Sequence, residues 1–95
     1  MEQKITLLVL YKNNKKKPLK DLPAKTKIRD VVKKALELFN LSTTDISDQT
    51  YNILIGSKRL NSNENLDKTL SDKGIDEDEM ITIYNLTDII LGKIF

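Results

Sequence analysis

Tyr51-Asn-Ile-Leu-Ile-Gly-Ser-Lys-Arg-Leu60, followed by Leu70-Ser-Asp-Lys-Gly-Ile-Asp-Glu-Asp-Glu-Met-Ile-Thr-Ile-Tyr84, decides the fold of this chain. In the first stretch Tyr51, Ile53 and Ile55 alternate with Asn52 and Leu54, the period-two pattern of a strand with one buried face. Leu54 is therefore expected to point outward. Gly56 makes a tight turn into a short strand from Lys58 to Leu60. In the second stretch Leu70 and Ile75 tuck a turn against the core. In the closing strand, Ile81 and Ile83 face one way and Met80, Thr82 and Tyr84 the other.

Upstream, Lys4 to Tyr11 is a β-branched and Leu-rich run ended by Asn13 and Asn14, so it reads as a strand followed by a turn, with Ile5, Leu7 and Val9 on one face. Pro18 cannot donate a ladder hydrogen bond and suits the start of a second strand, Leu19 to Leu22, closing a hairpin before Pro23. From Lys27 to Phe39 the apolar residues Ile28, Val31, Val32, Ala35, Leu36 and Phe39 have the spacing of a helix with one buried face. Thr26 is the expected N-cap and Asn40 the stop. Leu41 to Thr50 and Asn61 to Asn65 read as loops, and Leu66 as a further core anchor. Hairpin, helix, strand, short strand, strand is an α+β order in which one main helix packs on a mixed sheet of four to five strands.

The 95 residues suffice for a single core. The chain has no Cys and no His, so a disulfide framework, thiolate or imidazole metal ligands and a near-neutral proton shuttle are missing. No cofactor, no metal and no enzymatic activity are expected. No apolar run is long enough to span a bilayer and Met1 to Thr6 has no secretory pattern, so a cytoplasmic location and no membrane span are expected. Charge is uneven: Lys12 to Lys34 carries ten Lys or Arg against Asp21 and Asp30, whereas Asn61 to Glu79 carries seven acids against Lys68 and Lys73. Such a dipolar surface steers partners. The lysines of Lys15 to Lys17 have only Tyr11 as a neighbouring aromatic, which disfavours nucleic acid. Asp76 to Glu79 lacks the ligand spacing of a calcium loop and reads as a solvated turn.

The two opening stretches resemble the second half of ubiquitin, and the likeness extends over about Ile5 to Tyr84. It implies a ubiquitin-like β-grasp fold and a surface that other proteins bind. Carried onto matching positions, the family's apolar patch would comprise Leu54 beside the Gly56 turn, Thr82 and Tyr84, with Lys58 at its edge and the Asn13-Asn14 hairpin tip nearby. Thr82 stands where the family has a histidine, and the tip offers Asn and Lys where the family has Leu.

The domain is expected to end near Asn85, followed by an apolar tail over 86–95. The tail lacks the Gly-Gly of conjugated relatives and holds only Gly92. Three readings of it compete: packing on the domain or a partner, proteolytic maturation to Gly92, and weak membrane contact. The expectation is a monomeric, non-catalytic interaction module that binds protein partners through the sheet face and tail. The alternatives are a modifier conjugated through Gly92, which would need a protease and an activating enzyme, and an accessory protein of a type VII-like secretion system, whose members have a similar Leu-Pro step before the helix. A nucleic-acid binder is the fourth candidate.

Overall fold

The computed structural model describes residues 3–11 and 15–86. Its elements are strand β1 (Lys4–Tyr11), strand β2 (Lys15–Pro23), helix α1 (Ile28–Glu37), strand β3 (Tyr51–Ile55), strand β4 (Lys58–Arg59), the short helix α2 (Asn63–Leu66) and strand β5 (Met80–Asn85). The strands form one five-stranded sheet in the order β2-β1-β5-β3-β4. β1 and β5 run parallel at its centre, while β2 on β1, β3 on β5 and β4 on β3 are antiparallel. This is the mixed sheet with one main helix that the sequence predicts.

Strand alternation and helix periodicity meet in one core. Leu7 and Val9 of β1, Ile53 of β3 and Ile81 of β5 are fully buried with Ile28, Val31, Val32, Ala35 and Leu36 of α1. Leu66, Leu70 and Ile75 close the core beneath the connection into β5, as expected. In the hairpin, the register changes between Ile5 opposite Leu22 and Leu7 opposite Leu19, so β2 carries one extra residue there. Asp21 takes a positive φ of 59° at this bulge.

The helix ends differ in part from expectation. Lys27, not Thr26, occupies the N-cap position and makes no side-chain capping bond. A second segment supplies the missing partner: the Ile28 amide donates to the Lys68 carbonyl at 2.7 Å, and the Leu70 amide donates to the Thr26 carbonyl at 3.0 Å. Lys27 pairs with Thr69 in an isolated antiparallel bridge, and Thr26 stands one residue before the cap position with its carbonyl held by the Leu70 amide. At the other end the helix stops at Glu37, and Phe39 lies beyond it in the terminal turn, packed against the core. Asn40 is the stop expected, closing that terminal turn: its φ is 56°, the Leu41 amide donates to the Leu36 carbonyl and the Asn40 amide to the Glu37 carbonyl. That pair of bonds is the Schellman arrangement.

The largest departure concerns Asn61. It was expected in a loop, yet its side chain is fully buried. Its Oδ1 accepts the Ile53 amide at 3.3 Å, and its Nδ2 donates to the carbonyls of Ile46 at 3.0 Å and Tyr51 at 2.9 Å. One side chain therefore ties the loop after α1 and the edge of β3 to the segment that follows β4. That segment then winds into α2, where a loop alone was expected.

Two substitutions check this packing. Ile53→Ala should lower the unfolding free energy by about 2 to 5 kcal/mol, as a large-to-small change at a closed site. Asn61→Ala should cost about 3 kcal/mol or more, because three buried backbone groups lose their partner. Urea unfolding measures both, and a loss under about 1 kcal/mol for either would contradict the packing described.

Candidate functional site

Alternation that buries Leu7, Val9, Ile53, Ile81 and Ile83 sends the intervening residues to the opposite side of the sheet. The strand registers place these outward residues beside one another. Leu10 of β1 lies opposite Lys16 of β2 and opposite Thr82 of β5. Thr82 lies opposite Leu54 of β3, and Leu54 opposite Arg59 of β4. A single row, Lys16, Leu10, Thr82, Leu54, Arg59, thus crosses all five strands. Four interstrand spacings make it about 19 Å wide. A second row sets Pro18, Leu8 and Met80 side by side, and a third pairs Tyr84 with Asn52.

The resulting surface has an apolar centre and a basic border. Leu8, Leu10, Leu54 and Met80 are half-buried, whereas Tyr84 is 46% exposed. Lys16 caps one end of the long row and Arg59 the other. Arg59 is fixed in place: its Nε donates to Asn52 Oδ1 at 3.1 Å and its Nη1 lies 3.5 Å from an Asp48 carboxylate oxygen. An apolar centre within a polar rim is the anatomy of a protein interface.

The residues singled out in the sequence do not all come together. Leu54, Thr82 and Tyr84 come together on the outer face. Gly56 sits at the β3–β4 turn with a φ of +60°, at the first central position of a two-residue turn, where glycine adopts this conformation without strain. Lys58 lies opposite Ile55, out of phase with Leu54. It lines an open hollow of about 740 Å³ beside β4, together with Ile55, Leu60, Lys68, Lys73 and Ile75. Arg59 holds the border position instead. Asn13, Asn14 and Gly92 lie outside the described residues.

Leu8, Leu10 and Met80 were missed as members of the patch. Their signal was present, since Leu7 to Tyr11 is continuously apolar, and the residues out of phase with Leu7 and Val9 must face the other way. Their adjacency to Thr82 depends on the parallel register of β1 on β5, which pairs residues about 70 positions apart in the chain.

The shifted ionisable groups serve loops and turns. Asp45 is held below the usual carboxylate range by hydrogen bonds from Ser47 and Thr50, and Asp72 likewise by hydrogen bonds from Thr69. Burial pushes the Tyr51 phenol up, and that hydroxyl donates to the Ser42 carbonyl at 2.8 Å. Among the described residues, no group of three or more His, Cys, Asp or Glu is placed to hold a metal ion. No helix among them is long and apolar enough to cross a membrane.

No protein-family model and no curated protein sequence matches the chain. Solved structures do. The ubiquitin-like domain of yeast Ddi1 superposes with a TM-score of 0.68 at 11% identity, over 86% of this chain and 88% of that one. A ubiquitin-like domain from an Arabidopsis thaliana protein gives 0.63 at 16% identity, over 87% and 78% respectively. Caldiarchaeum subterraneum ubiquitin gives 0.65 at 12% identity, over 87% and 94%. At these identities the likeness establishes the fold.

If the outer face is a surface and not a second core, Leu10→Lys and Leu54→Arg should each change the unfolding free energy by under about 1 kcal/mol. Chemical denaturation of the two variants beside Ile53→Ala checks this. Losses equal to that of Ile53→Ala would make the face structural.

Proposed function

We propose that this domain of ubiquitin-like β-grasp fold is a non-catalytic interaction module that binds a protein partner across the outer face of its sheet. The row from Lys16 through Leu10, Thr82 and Leu54 to Arg59 carries the proposal. It joins apolar residues from separate parts of the chain into one surface. Keeping such residues in water is unfavourable, and covering them contributes about 25 cal/mol per Å² of apolar area removed from solvent. Lys16 and Arg59 at the two ends fix the orientation of what covers it, because rim charges contribute to specificity and association rate. The yeast and Arabidopsis structures are themselves ubiquitin-like domains, which supports an interaction role in preference to chemistry. The apolar tail, which extends past the described residues, is the second contact expected from the sequence.

The test is partner capture by the tagged full chain in cells of the native host. Leu54→Arg and Leu10→Lys should each abolish capture of proteins retained by the wild type, while the Lys33→Glu variant on the wet face of α1 retains them. Capture that survives both sheet-face substitutions at the wild-type level would remove this face from consideration.

A further inference from the structure

We infer that the hollow beside β4 is a second contact point, one that takes an acidic side chain on an apolar-flanked segment of the partner covering the sheet face. The inference rests on the interaction reading of that face and extends it to the partner's chemistry. The two surfaces share the edge of the sheet. Arg59, which closes the outer row, also lines the hollow, and Ile55 and Lys58 continue it from the same two strands. A segment leaving the outer face past Leu54 therefore meets the hollow directly.

Its lining suits such a segment. Ile55, Leu60 and Ile75 give it an apolar part, with Ile55 half-buried against the core. Around this lie four cations, Lys58, Arg59, Lys68 and Lys73, against the carboxylates of Glu64 and Asp72. The charges are unequally occupied. Arg59 is already engaged by Asn52 and Asp48. One oxygen of Asp72 accepts the Thr69 amide at 3.0 Å, and Lys68 is close enough to help hold that carboxyl ionised. Lys58 and Lys73 are exposed and form no ion pair among the described residues. With Lys68, which is exposed and likewise forms none, they are the cations open to a partner carboxylate. Among the described residues no aromatic side chain lines the hollow, so a nucleic-acid base has none of these to stack on.

The walls are also held in place. Asn65 Nδ2 donates to the Arg59 carbonyl at 2.9 Å, fixing α2 to β4. Buried Asn61 anchors the chain between them, and the Lys68 carbonyl is bonded to the start of α1. A contact site held in this way loses little freedom when it is filled, which favours binding.

The test is amide NMR of the full chain titrated with a blocked Glu-Leu-Glu-Glu-Leu-Glu peptide, with its all-Gln counterpart, and with inorganic phosphate. The acidic peptide should give saturable shifts at Lys58, Leu60, Lys73 and Ile75, and the Gln peptide should bind at least about tenfold more weakly. The Lys58→Glu/Lys73→Glu double variant should lose the shifts, while Leu54→Arg keeps them. Absence of saturation, equal shifts from the Gln peptide, or persistence in the double variant would overturn the inference. Saturation of the same amides by phosphate at lower concentration would overturn it in favour of a phosphate site. Loss of the hollow by these criteria leaves the sheet-face reading standing, because that reading is judged by capture with Leu54→Arg and Leu10→Lys.

Discussion

One helix cannot cover both sides of a sheet, and the organisation of this protein follows from that constraint. α1 is ten residues long, so it forms a rod about 15 Å in length and about 10 Å across. It presents Ile28, Val31, Val32, Ala35 and Leu36 to one face of a sheet about 19 Å wide, where they are fully buried. The inner face is thereby saturated with aliphatic side chains. The outer face receives every residue that alternation turns away from the helix. In this chain several of those are leucine, methionine or tyrosine where a purely solvated face would carry polar residues.

The segment between β4 and β5 shapes how that outer face is bordered. It contributes Leu66, Leu70 and Ile75 to the core, bonds to the first turn of α1 and places the fully buried Asn61 between β3 and the preceding loop. A buried amide with three backbone partners holds an irregular stretch in one arrangement, because any other leaves polar groups without hydrogen bonds. The hollow beside β4 results from this anchoring. At the opposite edge, Lys17 Nζ donates to the Leu38 carbonyl at 2.9 Å and lies 5.2 Å from the Phe39 ring centre, which in turn stands 5.4 Å from that of Tyr11. Both edges of the sheet are thus tied to the elements that follow them, and the outer face lies between two fixed borders.

Periodicity made the inward and outward residues of β3 and β5 legible from sequence, and with them Leu54, Thr82 and Tyr84. The buried face of α1 and its stop at Asn40 were equally legible, because helical spacing and a left-handed terminal residue are local features. What depended on distant partners was not. Thr26 has the chemistry of a cap but stands one residue before the cap position, its carbonyl held by the Leu70 amide. Asn61 looks like any polar loop residue until its carbonyl and amide partners are assembled from two other segments, the loop after α1 and β3. Lys58 and Arg59 exchange roles because the register of a two-residue strand decides which of them stands beside Leu54. Leu8 and Leu10 join the patch only once β5 is inserted between β1 and β3, an arrangement that no local pattern specifies.

The most direct measurement is position-resolved photocrosslinking in the native host, with a photoreactive residue placed in turn at Leu10, Leu54 and Lys33. The first two lie on the outer row and the third on the exposed side of α1. The account predicts the same discrete protein adduct from positions 10 and 54 and none from position 33. Adducts confined to position 33, or no adduct from either sheet position, would contradict it.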